Sequence, residues 1–178
     1  DYFHQKMMDW DVQLVDTGDD TDTGGRIEKS KHLLGYTFMA TYSDGLSDIQ
    51  LDKLLQFHNS HEGLATVTSV PLRSQYGTID CNASGMIVGF REKPVLYEHW
   101  INAGFFVFNR DVFDHWSGNN LEQDVFPELV QKKLLYAYQH DGFFKSMDTY
   151  KDQQEIEMMA RNGNMEWKTR PQAVRNDK

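Results

Sequence analysis

The chain is short of cysteine, proline and positive charge. It has one cysteine in 178 residues, Cys81, so no internal disulfide can form. That usage fits a reducing compartment, and a cytoplasmic location is expected. Lys and Arg number 18 against 27 Asp and Glu, a net charge of −9. Affinity for nucleic acid rests largely on cations set against phosphates, so no nucleic-acid partner is expected. The longest strongly apolar run is Ala103 to Phe108. A bilayer span needs roughly 20 apolar residues, so no membrane partner is expected either. The first 25 residues carry seven acids and one Lys, without the apolar stretch of a secretory leader. Four scattered prolines and no low-complexity tract leave no linker to mark. Walker A, G-x-G-x-x-G, H-E-x-x-H and G-x-S-x-G motifs are all missing, which removes the readings that depend on them.

The residues present suit a folded chain. Hydrophobic residues make up 39% and aromatics 13%, too many for a disordered segment. A chain of this length can bury roughly 70% of its unfolded surface without a disulfide or metal staple. We read it as one domain or part of one, with strands and helices in alternation. Val12–Val15, Thr37–Tyr42, Leu64–Val70, Gly104–Phe108 and Phe143–Met147 read as strands. Gly77–Glu92 reads as two strands around an Asn82–Gly85 turn. Residues Arg26–Leu34, Asp48–His58, Val125–Lys132 and Tyr150–Arg161 read as helices. This order argues for an α/β fold with a mostly parallel sheet, a hairpin insertion and helices on both faces. Such sheets bind ligands beyond the carboxyl ends of their strands.

Acids that end strands therefore stand out. Asp44 follows an apolar strand, and Asp148 sits between a strand and a helix. Either can be a plain turn residue or helix cap. Together they can hold Mg²⁺, which takes one or two carboxylates plus substrate phosphates. The Asp16–Arg26 stretch lacks the bidentate Glu of a calcium loop. It reads as a Gly-Gly turn into a helix, where backbone N–H groups and Arg26 can meet an anion; a solvated turn with a helix cap is the alternative. Lys93 lies before Pro94, which is expected to hold it extended. It reads as a phosphate ligand or as an exposed hairpin-edge charge. His58 and His61 have no spaced partners for zinc and read as surface or half-buried histidines. Cys81 has no evident base to make it a nucleophile.

Several segments fall in an order that resembles the sugar-phosphate nucleotidylyltransferase family. They are Val15–Gly18 with Thr23–Arg26, Thr41–Gly45, Ala65–Thr68, Glu92–Pro94, Ile101–Val107, His140–Phe143, Met147–Thr149 and Trp167–Thr169. The Thr-Gly-Gly-Arg and Met-Asp-Thr elements favour its cytidylyl branch. The resemblance implies a Rossmann-like nucleotidyltransferase sheet. It implies attack by glucose 1-phosphate on the α-phosphorus of CTP, giving CDP-glucose and pyrophosphate, for surface polysaccharide such as O antigen. It implies that Asp44 and Asp148 hold Mg²⁺ and that Lys93 binds the sugar phosphate. Thr21, Arg26 and Ser43 fall at nucleotide-contacting positions, and Gly77, Glu92, Asn102 and Gly104 along the sugar. A homo-oligomer is implied as well. Ser43 and Ala103 stand where the family usually has Gly. The family's glycine-rich G-G-x-G-T-R-L loop and its Lys-Pro element are not in these residues. The chain is accordingly expected to be a single domain, incomplete at its N-terminus, that turns over CTP poorly alone. Two rival readings are another nucleotide or sugar, and a non-catalytic relative that binds them.

Overall fold

The computed structural model describes residues 11–168. The Val12–Val15 and Trp167–Thr169 segments lie at its two ends, and Thr169 falls outside the described residues. The elements are β1 (Thr37–Thr41), β2 (Gly45–Ser47), β3 (Ala65–Arg73), β4 (Thr78–Cys81), β5 (Ile87–Arg91), β6 (Val95–Asn109), β7 (Leu135–Gln139) and β8 (Phe144–Ser146). The α-helices are α1 (Thr23–Lys29), α2 (Leu51–Asn59), α3 (Phe126–Gln131) and α4 (Tyr150–Arg161). Short 3₁₀ turns at Lys31–Leu33 and Arg110–His115 and a π turn at Leu121–Val125 join them.

A four-stranded sheet in the order β1-β6-β3-β7 forms the centre. β6 pairs antiparallel with both β1 and β3, while β3 and β7 are parallel. Three strands therefore run one way and β6 runs against them from a central position. The expected α/β sheet is present. The mostly parallel pairing expected of it is not: only β3–β7 pairs parallel, because the reversed β6 sits in the middle. Residues 11–18 form no strand among the described residues; Leu14 is 96% exposed. The hairpin insertion is β4–β5, with Asn82 capping its turn by accepting from the amides of Ser84 and Met86.

The Ala103–Phe108 run explains why β6 is central. Phe106 and Phe108 pack on one face with Phe38, Val112, Trp116, Leu121, Val125 and Leu129. Val107 points to the other face, against Ile49 and Leu54. Alternate side chains of a strand face opposite ways, so a continuous apolar run is satisfied only by cover on both sides. Burying one such Phe contributes about 1.5–3 kcal/mol. α2 covers one face through Leu54 and His58, and α3 with the turns before it covers the other. His58 is 1% exposed, so it is a core residue, more deeply buried than the surface or half-buried position expected from the sequence.

Candidate active site

Because β1, β3 and β7 point the same way, their carboxyl ends share one edge. Asp44 and His140 follow β1 and β7 there. Asn102 and Gly104 lie on β6 at the same level, since Thr41 pairs with Phe105 and Ser69 with both Asn102 and Gln139.

Asp44 and Asp148 come together by a route that the alternation of elements does not reveal. The strand before Asp148 is not in the central sheet. β8 pairs with β2 in a separate two-stranded ribbon, Gly45 against Ser146. The Met147 amide then donates to the Asp44 carbonyl at 2.9 Å. Asp44 stands immediately before one paired residue and Asp148 two residues after the other. Both are exposed. The cap of α4 is Thr149, which shares a capping box with Asp152, so Asp148 is not needed as the cap. Its Oδ2 accepts from Ser146 Oγ at 2.7 Å. Two exposed carboxylates fit an oxygen-ligated ion that keeps positions for phosphate oxygens. Among the described residues no cluster of three or more His, Cys, Asp or Glu forms a complete metal cage. The donor set therefore fits Mg²⁺ shared with a substrate better than a closed structural site. Ser43, beside Asp44 in the turn, is exposed.

Gly77, Glu92 and Lys93 meet at the far end of the arm formed by β3 and β6. Arg73 pairs with Val95, and the Ser74 amide donates to the Pro94 carbonyl at 2.9 Å. A Cβ on Gly77 would stand 3.1 Å from Glu92 Oε2 and 2.6 Å from the Phe90 ring. Lys93 has φ 46°, the left-handed region, and not the extended backbone expected before proline. The Arg73–Val95 and Ser74–Pro94 contacts fix both sides of this corner, and the corner requires that turn. A non-glycine residue held there carries strain, a feature that gathers at ligand-binding positions. Along β3 this corner lies four residues from the Asn102 level, roughly 13 Å.

Arg26 lies in α1 and Thr21 just before it, and both side chains are hydrogen-bonded within the chain. α1 begins at Thr23, capped by Asp22, and both glycines lie inside it. The Gly25 N–H is already engaged within the chain. The Gly25 amide donates to the Asn119 carbonyl at 2.9 Å, and the Arg26 amide to the Asp22 carbonyl at 3.0 Å. A Cβ on Gly24 would meet the Asn119–Leu121 backbone at 3.1–3.3 Å. The pair is glycine because a second chain segment packs there. Hydrogen bonds from Asn120 and the Thr23 amide hold the Asp22 carboxyl below the usual carboxylate range. The Arg26 guanidinium donates to Thr17 Oγ1 at 2.7 Å, and Lys29 donates to Thr21 Oγ1 at 2.7 Å. Two cations thus face the Thr17–Thr21 loop.

Glu122 ties these groups together and was not singled out in the sequence. It accepts from the Tyr42 hydroxyl, from Asn102 Nδ2 at 3.3 Å and from Thr23 Oγ1 at 3.5 Å. Burial and the Glu122 carboxylate push the Tyr42 phenol up. Asn102 Oδ1 accepts from the Gly104 amide at 2.8 Å. Gly104 has φ 74°, and a Cβ there would stand 2.7 Å from the Tyr42 ring. A lone Glu in Leu-Glu-Gln-Asp gives no pattern to find; only the fold brings its partners in.

A family model described as nucleotidyl transferase matches residues 22–167. The chain belongs to the nucleotidyl transferase family. It is 35% identical over 170 residues to a glucose-1-phosphate cytidylyltransferase of Salmonella typhimurium, covering 93% of this chain and 66% of that protein. It thus spans just under two thirds of the length of that relative. It is also 35% identical over 138 residues to the catalytic subunit beta of a mannose-1-phosphate guanylyltransferase of Drosophila melanogaster, covering 73% of this chain and 37% of that one. In structure it resembles a Bacillus anthracis protein assigned as a glucose-1-phosphate thymidylyltransferase, with a TM-score of 0.58 at 12% identity over 82% of this chain and 63% of that one. That likeness bears on fold alone and agrees with the Rossmann-like α/β sheet. In this nucleotidyl transferase the sequence-read residues form three groups. The Asp44–Asp148 pair and Asn102 with Gly104 share the carboxyl edge. Gly77, Glu92 and Lys93 share the arm's end. Thr21 and Arg26 lie with the Thr17–Thr21 loop and α1, whose Thr23 shares Glu122 with Asn102. Ala103, one of the departures from glycine, is 3% exposed within β6 and adds its methyl group to the core.

Proposed function

We propose that the chain carries most of the catalytic domain of a glucose-1-phosphate cytidylyltransferase, which makes CDP-glucose and pyrophosphate from CTP and glucose 1-phosphate. The observation that carries this reading is the meeting of Asp44 and Asp148 at the carboxyl edge of a nucleotidyl transferase sheet. The identity to the Salmonella typhimurium relative supports cytidine and glucose as the substrates.

Phosphoryl-type transfer asks for positioning and charge neutralisation more than covalent chemistry. Asp44 and Asp148 would hold Mg²⁺, which neutralises nucleotide phosphate charge when bound. Lys93 binds the sugar phosphate and offsets its repulsion from the triphosphate. Arg26, Thr21 and Ser43 face the nucleotide. Asn102, Gly104, Glu92 and Gly77 line the sugar. Glu122 fixes the Asn102 amide so that its orientation is set before substrate arrives.

Pyrophosphate release by the full natural chain tests the reading. CTP, GTP, UTP and dTTP are each paired with glucose 1-phosphate and with mannose 1-phosphate, in Mg²⁺. CTP with glucose 1-phosphate is expected to be fastest. A faster rate with GTP and mannose 1-phosphate favours the guanylyl reading, and binding without turnover of any pair favours the non-catalytic one.

A further inference from the structure

We infer that Asp48 and His140 are positioning residues that set the placement of Asp148 against Asp44. The inference rests on reading those two acids as metal ligands. The ribbon that carries them has three residue pairs, roughly 10 Å of strand. The acids lie at one end. At the other end the pair Ser47–Phe144 is the last, and Asp48 follows directly.

Asp48 Oδ1 is a double acceptor. His140 Nε2 lies 2.8 Å from it, and the Phe143 amide donates to it at 2.8 Å. The Asp48 amide donates in turn to the Phe143 carbonyl at 3.3 Å, and Ser47 Oγ donates to the same carbonyl at 2.7 Å. His140 belongs to the other layer. It follows β7 immediately, and its amide donates to the Ser69 carbonyl of β3 at 2.8 Å. Its side chain is 12% exposed. One residue is therefore fixed to the central sheet by its backbone and to the ribbon by its ring. Gly142 completes the joint, since a Cβ there would stand 2.6 Å from Asp48 Oδ1.

The ribbon otherwise has few pairs to resist sliding. A slip of one residue turns every strand side chain to the opposite face. Asp48 binds the chain on both sides of the β7–β8 connection and so fixes the register. Asp148 is set by that register through Ser146 and Met147. Residues that orient metal ligands without touching the ion typically change affinity about 10–100-fold when removed.

Mn²⁺ binding to the full natural chain, followed by water proton relaxation with Mn²⁺ alone, is the test. Asp48→Ala and His140→Ala are expected to weaken Mn²⁺ about 10-fold or more. Asp48→Asn keeps an acceptor and His140→Gln keeps a donor, so both are expected to stay near wild type. A purely structural role would lower the unfolding temperature and leave affinity unchanged. If an alanine variant does not fold, His140→Asn, polar but too short to reach Asp48, takes its place with the same two outcomes. Unchanged affinity in folded Asp48 and His140 variants, with Asp44→Ala weakened, overturns the inference alone. Equal affinity in wild type and Asp44→Ala overturns the metal assignment and the inference with it.

Discussion

The Met147 amide donates to the Asp44 carbonyl at 2.9 Å, one step beyond the Gly45–Ser146 pair of the β2–β8 ribbon. Asp44 and Asp148 are neighbours because of that short ladder, although they follow strands in different layers.

Asp44→Ala and Asp148→Ala are each expected to lower pyrophosphate release about 100-fold or more, the usual scale for one lost charge-stabilising group. Both residues are exposed, so unfolding free energy should move by less than about 0.5 kcal/mol. Urea denaturation beside the activity assay separates the two effects. Near-normal rates in both variants would sink the assignment.

Gly104→Ala is expected to cost about 1–3 kcal/mol, from a left-handed backbone and a collision with the Tyr42 ring. Gly85 is the control. Its φ is 83° and nothing lies within 4 Å of a Cβ there. Gly85→Ala bears the backbone term alone, about 1 kcal/mol. Equal losses for the two in urea would show that the Tyr42 contact contributes nothing.

Lys93→Gly is expected to split stability from function. Glycine adopts φ 46° freely, so the variant should gain about 1 kcal/mol in unfolding. It also loses the cation proposed for the sugar phosphate, and the KM for glucose 1-phosphate should rise about 10-fold with the lost charge-assisted contact. A KM that does not move argues that Lys93 is only a turn residue.

Stability is expected to fall as the medium becomes acidic. Burial holds the His58 imidazole below its ordinary value of 6.5, and burial with the nearby His58 does the same for His61. The unfolded chain then binds protons that the folded chain refuses, so stability is complete above 6.5 and is lost as pH drops from there towards the lowered folded values. Thermal unfolding between pH 7.5 and 5 measures this. His58→Leu should flatten the slope; an unchanged slope would refute the assignment to His58.

Some of this was legible from residues alone. Tyr150–Arg161 matches its helix end to end because Thr149 and Asp152 signal the start locally. The apolar Gly104–Phe108 stretch reads as a strand and lies in the central β6, although β6 begins as early as Val95. Phe143–Met147 reads as a strand and contains β8, but its partner β2 escaped notice because three residues give no periodicity and the contacts are far apart in sequence: Ser47 Oγ reaches the Phe143 carbonyl across 96 positions. α2 reads as starting at Asp48 and begins at Leu51, because the Asp48 carboxylate is spent on His140 and Phe143. Of the two readings of the Gly24–Gly25 turn, the helix cap holds, at Asp22. The composition of these glycines resembles a phosphate loop, while their function in the fold is to let Asn119–Leu121 come close. Chemistry that depends on one backbone accepting from another at long range leaves no local mark.

The three-pair ribbon separates the site from the core in one further respect. Local opening in a protein costs only the free energy of the unit that opens. The ribbon can therefore part and re-form while the Phe106–Phe108 core stays closed. Amide hydrogens of Leu46, Lys145 and Met147 would then exchange sooner than those of β3 and β6, and the two acids would dissociate from each other many times within the lifetime of one folded molecule.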